Sequence, residues 1–319
     1  MRKFPRPRVV VSACLEFEKV RYNGQVVPCE LVKKLEPYVD FIKVCPEFAI
    51  GLGVPREPIR IIKSGEDYRL VQPRTGRDVT GEMNTFTDDF LQALPTVDGF
   101  IFKSKSPTIG LSNIKVYSGP FDPGVVERRS GFFATKVLQK YRGFPIEEDT
   151  RLINDKIRHH FLTWLFSFAG FREATAIGSL KEFHRENSYL FTLYDGTAYT
   201  KMGGKLDDPV LYFEAMRQLF LHMPEPSAYV NGALSAFNRY SDDVNPLEKK
   251  WFLETVGMYR DNKICLNGLL EALKLFIMRF DDNAMMSQTL FEPYPSSLVS
   301  DVDLERDKDY MRKTVVELF

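Results

Sequence analysis

Two cysteines and a carboxylate stand just past short apolar runs near the start of the chain, in Val11-Ser12-Ala13-Cys14 and Val44-Cys45-Pro46-Glu47. A thiolate is a soft metal ligand and a nucleophile, and a carboxylate two residues away can take and return a proton. The plain alternative is that free cysteines are small buried hydrophobes. A third cysteine, Cys29, opens a helix-like stretch, where a helix N-terminus favours the thiolate. Cys265, deep in a helical segment, is expected in the core. A string of hydroxyls and lysines, Lys103-Ser104-Lys105-Ser106-Pro107, follows another apolar run. Other candidates are weaker. His159-His160 and His222 show no metal-ligand spacing, and Gly51-Leu52-Gly53 lacks the third glycine of a dinucleotide fingerprint.

The elements that must position these residues alternate through the first half. Residues 7–13, 39–44 and 97–102 are short β-branched or aromatic runs and read as strands. Helical stretches lie between them, from Cys29 to Tyr38 and from about Val79 to Ala93, with Asp78 as the N-cap. Ile59-Arg60-Ile61-Ile62 and Tyr68-Arg69-Leu70-Val71 form a hairpin around Gly65. Strand–helix alternation gives an α/β domain with a mostly parallel sheet, and such sheets bind ligands beyond the carboxyl ends of their strands. The cysteines, Glu47 and Ser106 converge on that edge.

From Ser130 the period changes to that of helices, and no comparable strand-like run follows about residue 125, although Ala198-Tyr199-Thr200 is ambiguous. Stretches at Asp155 to Phe168, Ser179 to Tyr194, Pro209 to His222, Ala228 to Tyr240, Pro246 to Arg260 and Leu266 to Arg279 fit amphipathic helices. The second half is therefore expected to be an all-α domain. A chain of 319 residues suits two domains, taken here as 1–150 and 151–319. Lys and Arg together number 43, as do Asp and Glu, so net charge exerts no global pull toward nucleic acid. Arg128-Arg129 and Lys249-Lys250 are either local RNA-facing pairs or solvated faces. No leader-like or bilayer-spanning apolar stretch is visible, so a cytoplasmic protein without membrane contact is expected.

The strings Ser12-Ala13-Cys14-Leu15, Val20-Arg21-Tyr22-Asn23-Gly24, Cys45-Pro46-Glu47, Ile50-Gly51-Leu52-Gly53-Val54-Pro55-Arg56, Gly76-Arg77-Asp78-Val79-Thr80 and Lys103-Ser104-Lys105-Ser106-Pro107 occur in that order. Together they resemble the TudS-like thiouracil desulfurase family over about the first 120 residues. Phe183-His184, Tyr259-Arg260, Ser287-Gln288-Thr289 and Phe291-Glu292-Pro293-Tyr294-Pro295 are similar to the YbgA-like helical domain often fused to it.

The resemblance implies a 4Fe-4S cluster held by three cysteines, with an open iron that takes the sulfur of a thiolated uracil without redox change. Cys14 and Cys45 match two ligands, Glu47 the acid/base residue and Ser106 the proton-donating hydroxyl. The family's third ligand lies in a Ser-Pro-Ser/Thr-Cys-Gly string, where this chain reads Ser106-Pro107-Thr108-Ile109-Gly110. Isoleucine cannot bind iron. Either Cys29 supplies a replacement thiolate, or the cluster has been lost and the fold kept. Arg56 and Ser104 are the expected substrate contacts, and Arg56 or Arg60 suits a phosphate. The implied partner is a small thiolated pyrimidine or nucleotide, or a thiolated tRNA base. The implied activity is iron–sulfur-dependent desulfuration, with a cluster-free nucleobase- or RNA-binding module as the alternative.

Overall fold

The computed structural model describes residues 2–299 in two compact units, the first running to Ala169 and taking in 297–299, the second Gly170–Ser296. In the first unit, β1 (Arg8–Ser12) is followed by α1 (Glu30–Leu35), β2 (Asp40–Val44) and the one-turn α2 (Pro46–Ala49). Next come β3 (Arg60–Ser64), β4 (Asp67–Gln72), β5 (Arg77–Asp78), α3 (Thr80–Ala93) and β6 (Gly99–Phe102). The unit continues through β7 (Ile114–Tyr117), β8 (Val125–Arg129), α4 (Phe132–Lys140), β9 (Ile146–Glu148) and the start of α5 (Asp155–Ala176).

Four strands form a wholly parallel sheet in the order β2-β1-β6-β9. Val9, Val10 and Val11 of β1 and Phe100, Ile101 and Phe102 of β6 have no exposed surface. Unbroken apolar runs of this kind belong to strands covered on both faces, which is why period-2 alternation is absent from them. A second, mixed sheet runs β5-β4-β3-β7-β8, and the hairpin expected around Gly65 is its antiparallel β3–β4 pair. The N-cap of α3 is Val79 rather than the expected Asp78, which ends β5 one residue earlier and whose Oδ1 accepts from the Thr80 N–H at 2.9 Å and the Thr80 hydroxyl at 2.6 Å.

Four strands escape the sequence expectation: β5, β7, β8 and β9. β8 carries Glu127, Arg128 and Arg129 at the edge of its sheet, where charged side chains reach water and no apolar pattern is required. β9 has three residues, too few for a period, yet all are buried against β6.

The second unit is helical: α6 (Leu180–Glu186), α7 (Ser188–Gly203), α8 (Pro209–Leu219), α9 (Pro226–Phe237), α10 (Pro246–Arg260), α11 (Leu266–Arg279) and α12 (Asn283–Met286). The single helix expected from Ser179 to Tyr194 is two, broken at Asn187, whose amide donates back to the Phe183 carbonyl at 2.8 Å. Such local side-chain bonding competes with helix continuation. The ambiguous Ala198-Tyr199-Thr200 is helical. Cys265 is exposed at the start of α11 rather than buried, because the capping position lies off the apolar face. Among the described residues no helix is long and apolar enough to cross a membrane.

The loop after β6 is fixed by its backbone. Gly110 N–H donates to the Ser106 carbonyl at 2.9 Å, closing a turn over Ser106–Gly110. Phe132 and Ala134, in the first turn of α4, donate to the Pro107 and Thr108 carbonyls at 3.2 and 3.1 Å. The loop thereby satisfies amides that a helix start leaves without partners. Gly131 makes this approach possible: a Cβ there would lie 2.5 Å from the Thr108 carbonyl group. Gly131→Ala is accordingly expected to cost about 1–3 kcal/mol, the usual range for overpacking, in a denaturant titration. An unchanged midpoint would show that the loop is not held against α4.

Candidate active site

Because the four strands are parallel, their carboxyl ends share one edge. Ser12 pairs in register with Val44, and Phe102 with Glu148. The residues that follow are Cys14, Cys45, Lys103 and Asp149. The edge is bound across its strands: Ala13 N–H reaches Val44 O at 2.9 Å, Lys103 N–H the Ser12 hydroxyl at 2.9 Å, and Asp149 N–H the Phe102 carbonyl at 3.0 Å.

Glu47, in α2, is divided between two sets of donors. Arg56 Nε and one terminal nitrogen reach its Oε2 at 2.9 and 2.8 Å. The Thr108 hydroxyl donates to Oε1 at 3.0 Å, and Ser106 Oγ lies 3.4 Å from the same oxygen. Arg56 also donates to the carbonyls of Val20 and Gly53, at 2.9 and 3.0 Å, and lies 3.9 Å from the Cys45 sulfur. With 4% of its side chain exposed, the guanidinium is a buried charge that needs this full set of acceptors. The expected substrate contact Arg56 is thus engaged with Glu47 and the loops on either side of it.

A second ion pair lies along the edge. Lys103 Nζ meets Asp149 Oδ2 at 2.8 Å and donates to the Ser104 hydroxyl at 2.9 Å, while Ser104 N–H donates to Asp149 Oδ1 at 2.8 Å. Ser104, the other expected substrate contact, is buried within this network. Neither Asp149 nor Thr108 stands out in the sequence as a site residue. Asp149 would be found by reading the short run before it as a strand, and Thr108 by its place beside Ser106.

The thiols are held in their protonated form. Burial, reinforced by the neighbouring Cys45, pushes Cys14 up to about 11, against the opposing charge of Lys103. Burial likewise raises Cys45, with the backbone of Phe48 and the charge of Arg56 working the other way. Cys29 is raised by burial too, and the charges that act on it are Asp149, Glu16 and Arg158. The Cys29 N–H is bonded to the Glu16 carboxylate.

The donor set can be tested against a cluster held by three thiolates. Ile109, at the position of the missing third ligand, is 4% exposed and belongs to the apolar core with Phe102, Leu111 and Phe133. Among the described residues no group of three or more His, Cys, Asp or Glu side chains stands close enough to hold a metal ion. The residues present do not fit such a cluster.

This edge, with its paired cysteines, half-buried carboxylate and hydroxyl loop, lies within a stretch that matches a family model. Residues 9–149 match the 2-thiouracil desulfurase family. Residues 189–295 match a second family, described as a protein of unknown function, DUF1722, so both parts of the resemblance seen in the sequence hold. The uncharacterized protein YbbK of Bacillus subtilis (strain 168) is 29% identical over 154 residues, which are 45% of this chain and 97% of YbbK. A solved structure titled [4Fe-4S]-dependent thiouracil desulfidase TudS shares 29% identity, covering 46% of this chain and 93% of that one, at a TM-score of 0.35.

Thiol reactivity follows from the burial of the site. At pH 8, iodoacetamide should modify the exposed Cys265 first and Cys14 only slowly, with the Cys14 rate climbing as pH rises toward about 11. Peptide mass spectrometry reads the order. Rapid labelling of Cys14 at pH 8 would contradict the raised thiol.

Proposed function

We propose that the first unit is a desulfidase that binds a thiolated uracil and replaces its sulfur with oxygen. The observation that carries the reading is the divided carboxylate: Glu47 is oriented by Arg56 through one oxygen and offers the other to hydroxyls, beside two thiols at the sheet's carboxyl edge. The match of residues 9–149 to the 2-thiouracil desulfurase family supports the substrate class. The chemistry balances without an oxidant. Water adds to the thiocarbonyl carbon, one of its protons passing to Glu47 as general base. The new hydroxyl then gives up the second as the carbonyl forms and sulfur leaves, and both protons end on the sulfur as hydrogen sulfide. Since the donor set does not fit a three-thiolate cluster, no step is routed through one.

The substrate in this reading carries a phosphate, as a nucleotide or as a base within RNA. The loop that bears Ser106 turns Ser104, Lys105 and Pro107 toward a cavity of about 1080 Å³. Arg60, Arg74, Lys105, Lys115, Arg128 and Arg151 line it, against the carboxylates of Glu57 and Glu148. That excess of positive charge suits a phosphate, which charged donors hold far better than neutral ones. A second reading, a nucleobase- or RNA-binding module without turnover, is favoured by the core packing of Ile109 where a third thiolate would be needed.

The test is anaerobic incubation with 4-thiouracil and with 4-thiouridine 5′-monophosphate, following loss of thiocarbonyl absorbance and release of sulfide, with iron measured per chain. Sulfide release abolished by Glu47→Gln, with a lower KM for the nucleotide, is the expected outcome. Arg128→Ser should raise the nucleotide KM about tenfold or more while leaving that of the free base unchanged, since a charged hydrogen bond contributes roughly 1.5–3 kcal/mol. Tight binding of the nucleotide without any sulfide release would establish the second reading instead.

A further inference from the structure

We infer that Thr108 is the relay through which the proton taken up by Glu47 reaches Ser106 and then the departing sulfur. The inference rests on the desulfidase reading and assigns a role to Thr108, a member of the Ser106–Gly110 string that has none from the sequence alone. Direct transfer between Glu47 and Ser106 is poorly placed, because their oxygens are 3.4 Å apart, outside the 2.5–3.0 Å range of O–H···O bonds. Thr108 Oγ1 closes the gap, at 3.0 Å from Glu47 Oε1 and 3.0 Å from Ser106 Oγ.

The direction of the chain follows from counting protons. While Glu47 is a carboxylate it can only accept, so the single Thr108 hydroxyl proton is committed to Oε1. Thr108 can then only accept from Ser106, and the Ser106 proton points away from the substrate. The lone pairs of Ser106 receive the N–H groups of Thr108 and Ile109, both at a long 3.3 Å, and one of these contacts yields its lone pair when Thr108 turns to donate. Once Glu47 takes a proton from the attacking water, its Oε1–H becomes a donor and the order reverses. Glu47 donates to Thr108, Thr108 donates to Ser106, and Ser106 releases its own proton to the sulfur. The C–O bond forms first and the C–S bond then breaks. One of water's protons travels by this chain to the sulfur, and the second leaves the new hydroxyl for the sulfur as the carbonyl forms. The carbonyl product and hydrogen sulfide depart with all three side chains in their starting state.

The geometry also explains why the relay works in one direction per turnover. Arg56 occupies Oε2 with two donors, so the new proton can reside only on Oε1, the oxygen that faces Thr108. Thr108 is 1% exposed, which keeps water from bypassing it.

The decisive variants are Thr108→Val, which keeps the shape and removes the hydroxyl, and Thr108→Ser, which restores it. Thermal melting confirms that each is folded, and Thr108→Ala serves if valine is not accommodated. Thr108→Val should lower kcat about 100-fold, the lower end of what positioned proton transfer contributes, with KM unchanged. Thr108→Ser should recover most of the loss. For the wild type, kcat should fall in a curved manner with the deuterium fraction of the solvent, as when several bridging protons move together, and the curvature should vanish in Thr108→Val. Independently of turnover, the carboxylate stretch of Glu47, identified by its loss in Glu47→Gln, should shift in Thr108→Val and not in Thr108→Ser. Wild-type turnover equalled by Thr108→Val, or an unshifted Glu47 band, overturns the relay alone. A wild type that releases no sulfide overturns the desulfidase reading, and the relay with it.

Discussion

The buried guanidinium of Arg56 is the interaction on which the rest of the site depends. It binds Glu47 through one oxygen, ties down the carbonyls of Val20 and Gly53, and stands beside the Cys45 sulfur. A charge this deeply buried is tolerated only when every donor is matched, so the two loops and the one-turn helix cannot move independently without leaving it unpaired. The two-sided use of Glu47 follows directly. With Oε2 taken, only Oε1 is left for chemistry, and the loop after β6 brings its hydroxyls to that oxygen and no other. The same loop is fixed from behind by main-chain bonds to the start of α4 and by Leu111 N–H on the Glu148 carboxylate at 2.7 Å.

Much of this was legible in the sequence because a parallel sheet leaves an unusually plain record. Runs such as Val9–Val11 and Phe100–Phe102 are apolar throughout, so the strand ends can be read to within two residues, and the residues just beyond them face one edge. Glu47, Cys14, Cys45 and Ser106 were found that way. What stayed hidden was set by tertiary contact rather than by local pattern. Strand β9 is three residues long and carries two glutamates, which makes sense only once Glu147 meets Arg151 at 2.8 Å and Glu148 meets Leu111. Without β9 there was no reason to place Asp149 at the edge. Arg56 read as a free cation for substrate because sequence shows its charge but not the carboxylate nine residues earlier that claims it.

The position of Ile109 separates two properties that a family resemblance joins. The fold of the loop does not depend on what residue 109 can ligate: Gly110 and Gly131 provide the close approach, and the backbone bonds form whatever side chain lies between them. An isoleucine in that place is therefore gained cheaply, adding apolar area to the cluster of Phe102, Leu111 and Phe133. Retention of the strand ends, the carboxylate and the hydroxyl loop with a changed donor set is what such independence permits.

The pairing of charges along the sheet edge bears on how a product departs. Arg56 is balanced by Glu47 and Lys103 by Asp149, so the edge is electrically neutral when the thiols keep their protons. A hydrosulfide ion formed there would be one negative charge in excess of the two ion pairs of the edge. Neutral hydrogen sulfide meets no such penalty and can cross apolar walls on its way out. Electroneutrality at rest thus makes exit conditional on protonation, and a site arranged in this way needs no separate channel for an anion.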